Sequence, residues 1–139
     1  MAGVSYLLDA NVLSEPMRSR PDPRVARRLR ERQNALATAA PVLHEVRFGL
    51  LRMPPSRRRR EIQEYLASVL VTADVLPYDR NAAEWHAAER ARLVALGLTP
   101  PYLDGQIAAI AVVNDLILVT RNGRDFEQFR DLRVEDWFA

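Results

Sequence analysis

The chain has 139 residues, 48% hydrophobic and 27% charged, which suits one compact globular domain and excludes a disordered chain. It has no cysteine, which rules out disulfides, thiolate metal sites and cysteine nucleophiles and is compatible with the cytoplasm. All 20 basic residues are arginine, so P-loop and Schiff-base chemistry, both of which need lysine, are excluded, and a formal net charge of +2 does not by itself mark a nucleic-acid binder.

Arginine is a good planar partner for phosphate, although codon bias in a GC-rich genome explains an all-arginine chain more simply. No apolar run approaches the roughly 18 residues needed to cross a bilayer, and no signal-peptide pattern opens the sequence. His44 and His86 are too far apart in sequence to read as a zinc-spaced pair.

In chain order, residues 4–8 (VSYLL) read as a short buried strand that stops on a polar turn. A brief helix is expected over Asn11–Met17. "RPDPRVARRLRERQ" carries proline and aspartate start signals ahead of a basic helix. "ALAT" (Ala35–Thr38) is a candidate second strand. Pro41 suits the first turn of a helix running to about Arg52, where its missing N–H costs nothing. A further helix follows "PPS", with Ile62, Tyr65, Leu66, Val69 and Leu70 on one side. "DVLPYD" resembles a short strand, and a long helix then closes at Gly97. "TPPYLDGQIAAIAVVND" reads as a loop and a buried helix of small residues, "LILVT" as a strand, and "LRVEDWF" as an edge strand. Strands alternating with helices imply an α/β fold: one domain over 1–139 with a mainly parallel central sheet flanked by helices.

In such folds, sites gather beyond the carboxyl ends of the strands. Asp9 ends the first strand, and "TRNGRD" follows the strand that ends at Thr120. Glu45 lies at the edge of the apolar face formed by Val42, Leu43, Val46 and Leu50, where a merely solvated glutamate is common. Asp104 shares a helix side with Ile107, Ala108 and Ala111, and an acid in an apolar stripe is costly to bury without a partner. A helix-start aspartate stabilised by free N–H groups is the competing account. Asn122 and Asp125 follow a strand, but Asn-Gly is itself a turn signal. If Asp9, Glu45, Asp104 and Asp125 converge, they repel one another unless a cation neutralises them. Carboxylates without histidine or cysteine suit a hard ion, Mg²⁺ or Mn²⁺, and such ions beside a phosphodiester activate water. Asn11 and Asn122 are placed to orient the ligands or the water.

The blocks "LLDANVLSE", "HEVRFG", "PPYLDGQIAAIA" and "LVTRNGRDF" together resemble the PIN-domain nucleases, in particular the VapC toxins of bacterial toxin–antitoxin pairs and their FitB-like relatives. The resemblance covers essentially the whole chain. It implies an Mg²⁺- or Mn²⁺-dependent endoribonuclease acting on structured RNA, with Asp9, Glu45, Asp104 and Asp125 as catalytic metal ligands and Asn11 and Asn122 in support. It also implies a cytoplasmic homodimer inhibited by a small DNA-binding antitoxin whose tail enters the active-site groove. Ala10 departs from the threonine often found there, which removes a hydroxyl but no acid.

Arg121 and Arg124 are candidate RNA-phosphate contacts. The run Arg57–Arg60 reads as a solvated helix face, Asp115 as a turn residue, and Trp85, Trp137 and Phe48 as core or dimer packing. The alternative function is a weakly catalytic PIN module acting with its antitoxin as a DNA-bound regulatory complex. The four intact acids argue against it. An aspartate-nucleophile phosphatase wants an aspartate at Asn11 and a lysine, and the chain has neither.

Overall fold

The computed structural model describes Gly3 and residues 5–139; Val4, expected to open the first strand, lies outside the described residues. The elements are β1 (Tyr6–Leu8), α1 (Ala10–Leu13), α2 (Pro23–Glu31), β2 (Leu36–Ala39), α3 (Ala40–Leu51), α4 (Arg57–Thr72), β3 (Asp74–Leu76), α5 (Arg80–Ala95), α6 (Tyr102–Val113), β4 (Ile117–Val119) and β5 (Arg133–Glu135). The strands form one sheet in the order β3-β2-β1-β4-β5, and every pairing is parallel.

This order has one consequence for the site. From central β1 the chain builds outward through β2 to β3, then crosses back to lay β4 on the other flank of β1. The carboxyl ends of β1 and β4 therefore lie side by side where the winding reverses, the usual place for a ligand crevice in an open α/β sheet. The register Leu8↔Val119 puts Asp9 and Thr120 next to each other just beyond that edge.

The helix expected over Asn11–Met17 is divided. α1 ends at Leu13, and a 3₁₀ turn occupies Glu15–Met17. Pro16 has no N–H to continue the ladder, and the Ser14 hydroxyl donates to the Ala10 carbonyl at 2.6 Å. Gly97 ends α5 in the left-handed region at φ +79°, as its C-terminal position requires. Asp115 also has positive φ, as a tight turn into β4 demands, and β5 is an edge strand as read.

The buried core runs through Leu7 and Leu8 of β1, Leu118 and Val119 of β4, and Ile107–Ala111 of α6. The alanines of α6 let it approach closely to α5 and β4. At Gly105 the approach is extreme: a Cβ there would lie 2.1 Å from His86 Nε2 of α5, so only glycine fits. Trp137 is buried and Trp85 packs against the core, as expected, whereas Phe48 is 53% exposed and belongs to no core. The Arg52 guanidinium covers its ring, 4.8 Å from the centroid.

Candidate active site

Asp9 is the N-cap of α1, and its Oδ1 accepts from the Ala10 N–H at 2.8 Å. Only 8% exposed, it receives a hydrogen bond from the Thr120 hydroxyl on Oδ2 at 2.8 Å. The Asn11 amide donates to the same Oδ2 at 3.4 Å and to Thr120 Oγ1 at 3.3 Å. Asn11 Oδ1 in turn accepts from the Arg121 N–H at 3.0 Å. Thr120 Oγ1 also accepts from the Asn122 N–H at 3.1 Å, so its one donor and two acceptor positions are all used. The end of β1 is thus knotted to the end of β4 by side chains.

Asp104 sits in the first turn of α6, where the helix N-terminus favours a charged carboxylate. Burial outweighs that effect. Desolvation first, then the charges of Asp125, Asp9 and Glu45, push its carboxyl up to about 6. Glu45 stands exposed on α3, yet partial desolvation and then Asp9 raise it as well, while His44 pulls the other way. Asp125, in a 3₁₀ turn at Gly123–Phe126, is exposed and lines a cavity of about 280 Å³ together with Asp104 and Arg124.

The four acids named by sequence therefore share one electrostatic neighbourhood near the switch point of the sheet, with Asp9, Glu45 and Asp125 each raising Asp104. Contact is a stricter matter. Among the described residues, no three acid or histidine side chains are grouped tightly enough to form a ready-made ligand set. The field between them reaches further than ligation does, so both observations hold together. Asn11 supports through its side chain. Asn122 differs from expectation: it takes part through its backbone N–H, and its exposed side chain makes no hydrogen bond among the described residues. Arg121 and Arg124 are both exposed, and Arg124 lines the cavity of Asp104 and Asp125, whereas the Arg121 guanidinium lies over the Phe138 ring. Arg57, Arg58 and Arg60 are exposed on α4, as a solvated face requires.

Thr120 is the site residue the sequence reading passed over, and it is fully buried. A threonine at a strand end is unremarkable locally. Only pairing β4 with β1 shows what its hydroxyl holds. Glu89 was hidden for a similar reason. It is buried on α5, pairs with Arg92 at 2.7 Å and accepts from the Arg130 N–H. Arg92 also donates to the Gln128 carbonyl at 2.9 Å. These bonds fasten the segment after Asp125 to α5.

With this geometry in place, the PIN-domain family model matches residues 6–132. The chain is a PIN domain. It is 34% identical over 125 residues to the VapC ribonuclease Y4jK of Sinorhizobium fredii, covering 87% of this chain and 89% of the relative. It is 30% identical over 135 residues to the tRNA(fMet)-specific endonuclease VapC of Shigella flexneri, covering 96% and 98%. Among solved structures, the DNA-bound VapBC of Salmonella typhimurium superposes with a TM-score of 0.84 at 25% identity, covering 96% of this chain and 98% of that one. Within the PIN family the chain belongs with the VapC ribonuclease toxins of toxin–antitoxin systems.

Proposed function

We propose that this PIN domain is a divalent-cation-dependent endoribonuclease that cuts structured RNA. The observation that carries the reading is Asp104, an acid at the start of a buried small-residue helix, beside Asp125 in one cavity and pushed up to about 6 by burial and by the charges of three other carboxylates. An all-oxygen donor set with mutual repulsion is what Mg²⁺ or Mn²⁺ relieves. In this reading Asp9 and Asp104 are the principal ligands, Glu45 binds directly or through water, and Asp125 completes the site or holds a second ion. A bound ion supplies charge neutralisation at the scissile phosphate and a water acidic enough to attack it.

The protein's own groups do the rest. Thr120 and Asn11 fix the Asp9 carboxylate. Arg124 beside Asp104 and Asp125, and Arg121 next to Thr120 in sequence, offer planar N–H pairs to RNA phosphates. The Shigella relative's named substrate, a tRNA, supports a structured RNA as the target class. The VapBC relative supports a small DNA-binding antitoxin as partner. In this reading the protein acts as a cytoplasmic homodimer.

The test is cleavage of a panel of structured RNAs with Mg²⁺ or Mn²⁺ by the wild type and by Asp104→Asn, each checked for folding. Metal-dependent cutting that disappears in the folded variant is expected. Equal cutting by both removes Asp104 from the site. If neither cuts, calorimetry with the metal alone decides whether the acids bind an ion at all.

A further inference from the structure

A second cavity, of about 420 Å³, is lined by Arg18, Arg20, Arg24 and Arg121 together with Glu15, Asp22 and Phe138. Four guanidiniums face two carboxylates, Glu15 and Asp22, and both carboxylates are already engaged. Glu15 is 3% exposed; it accepts from the Asp22 N–H at 2.8 Å and pairs with Arg18 at 3.3 Å. Asp22 caps α2 and pairs with Arg24 at 2.9 Å. Among the described residues, Arg20 and Arg121 have no carboxylate within ion-pair distance. Cations thus outnumber the carboxylates that line the cavity, although the charge of Asp136 also reaches Arg24.

The loop that carries them is built rather than loose. A buried glutamate grips it from inside, and Pro21 and Pro23 restrict its backbone, which lowers the entropy lost when a ligand orders it. Arg121 is set from below, its guanidinium carbon 4.7 Å from the centroid of the Phe138 ring. A guanidinium stacked on a ring keeps its N–H edge free for a planar anion. No leucine, isoleucine, valine or methionine lines the cavity among the described residues, so it offers little to an apolar peptide.

Its position is fixed relative to the acids. The Arg121 N–H is bonded to Asn11 Oδ1, and the Asn11 amide reaches Asp9. We propose that this cavity is a phosphate subsite for the RNA strand, holding a backbone phosphate next to the one that is cut, with Arg20 and Arg121 as its anion contacts. The identity of the polyanion as RNA rests on the ribonuclease reading; the anion site itself does not.

The experiment is fluorescence anisotropy of the full chain with labelled tRNA in EDTA, where nothing is cut, across a range of salt. Arg20→Ala and Arg20→Glu are compared with Arg27→Ala, an exposed α2 arginine 3.7 Å from Glu31. Circular dichroism confirms that each variant is folded. Losing one phosphate contact is expected to weaken binding by roughly 3- to 10-fold for Arg20→Ala, and to reduce the slope of log affinity against log salt by about one. Arg20→Glu is expected to lose more, and Arg27→Ala to match the wild type. Unchanged affinity and slope in both Arg20 variants overturn the subsite, and so does a wild type that does not bind tRNA. Cleavage with Mg²⁺ is scored separately. If the wild type binds no metal by calorimetry and fails to cut the panel of RNAs while Arg20 still governs binding, the nuclease reading falls and the subsite stands.

Discussion

Asp9 and Asp104 are both aspartates at the start of helices, and they face the same group of acids, yet their surroundings are opposite. Asp9 is enclosed in a hydrogen-bonded knot in which Thr120 and Asn11 meet its oxygens. Asp104 receives no hydrogen bond from the described residues, and its carboxyl is pushed up to about 6 by burial and by its acidic neighbours. One carboxylate is fixed in place by polar partners, while the other is left under electrostatic stress. In the proposed reading, the fixed acid would set the geometry and the stressed acid would gain most from a cation.

The largest expected effect comes from removing the stressed member. Asp104→Asn should lower metal-dependent RNA cleavage by about 10³-fold, because several kcal/mol of charge stabilisation go with it. A steady-state assay over a range of Mg²⁺ checks this, and a loss under tenfold would make the two acids equivalent after all. Breaking the fixed member from behind should do less. Thr120→Val keeps the shape but leaves Asp9 Oδ2, Asn11 and the Asn122 N–H short of a partner, so unfolding free energy should fall by about 1–3 kcal/mol. Cleavage should drop by roughly 10- to 100-fold, as for residues that orient metal ligands. Thr120→Ser, which retains the hydroxyl, should recover most of both in urea melts and cleavage assays.

A third variant asks what holds Asp104 under stress at all. Gly105→Ala forces a Cβ into His86, which should cost about 1–3 kcal/mol as over-packing does. His86→Ala in the same chain should return part of that cost in a double-mutant cycle, and purely additive losses would remove the clamp between α5 and α6.

The smallest effect concerns pH. Asp104 rises from an ordinary value of 3.8 to about 6 on folding, so between those values the folded chain binds more protons than the unfolded one. Stability is therefore lost as pH climbs from about 4 through 6, and the full penalty is present above 6. Asp104→Asn should stabilise the protein by about 1–2 kcal/mol at pH 8, allowing for solvent screening, and by nothing near pH 4. Thermal melts at the two pH values read this directly. A constant difference would mean that the variant acts through something other than charge.

The strands, their alternation with helices and the small-residue stripe of α6 are legible in the sequence because each is written in neighbouring residues. Asp9 at the end of β1 and Asp104 on the side of Ile107 and Ala108 follow from the same local periodicity. Thr120, Glu89 and the Gly105–His86 contact are not legible, since each matters only through a partner that tertiary packing supplies. Glu15 was read as part of a helix. Instead it is a buried anchor, because Pro16 ends α1 early and turns the glutamate inward. Of the core and dimer packing expected for Phe48, the orientation of α3 excludes the core of this chain and leaves the ring half-exposed under Arg52.

The bond between Thr120 and Asp9 spans 111 residues of sequence, and that separation acts as a clock. On the ribosome, the first acid emerges early and must wait for 111 more residues before the hydroxyl that fixes it has even been made. Contacts this distant in sequence form late, and a domain folds as a unit only once its strands are all available. A growing chain therefore exposes its first acid long before that acid has been fixed in place.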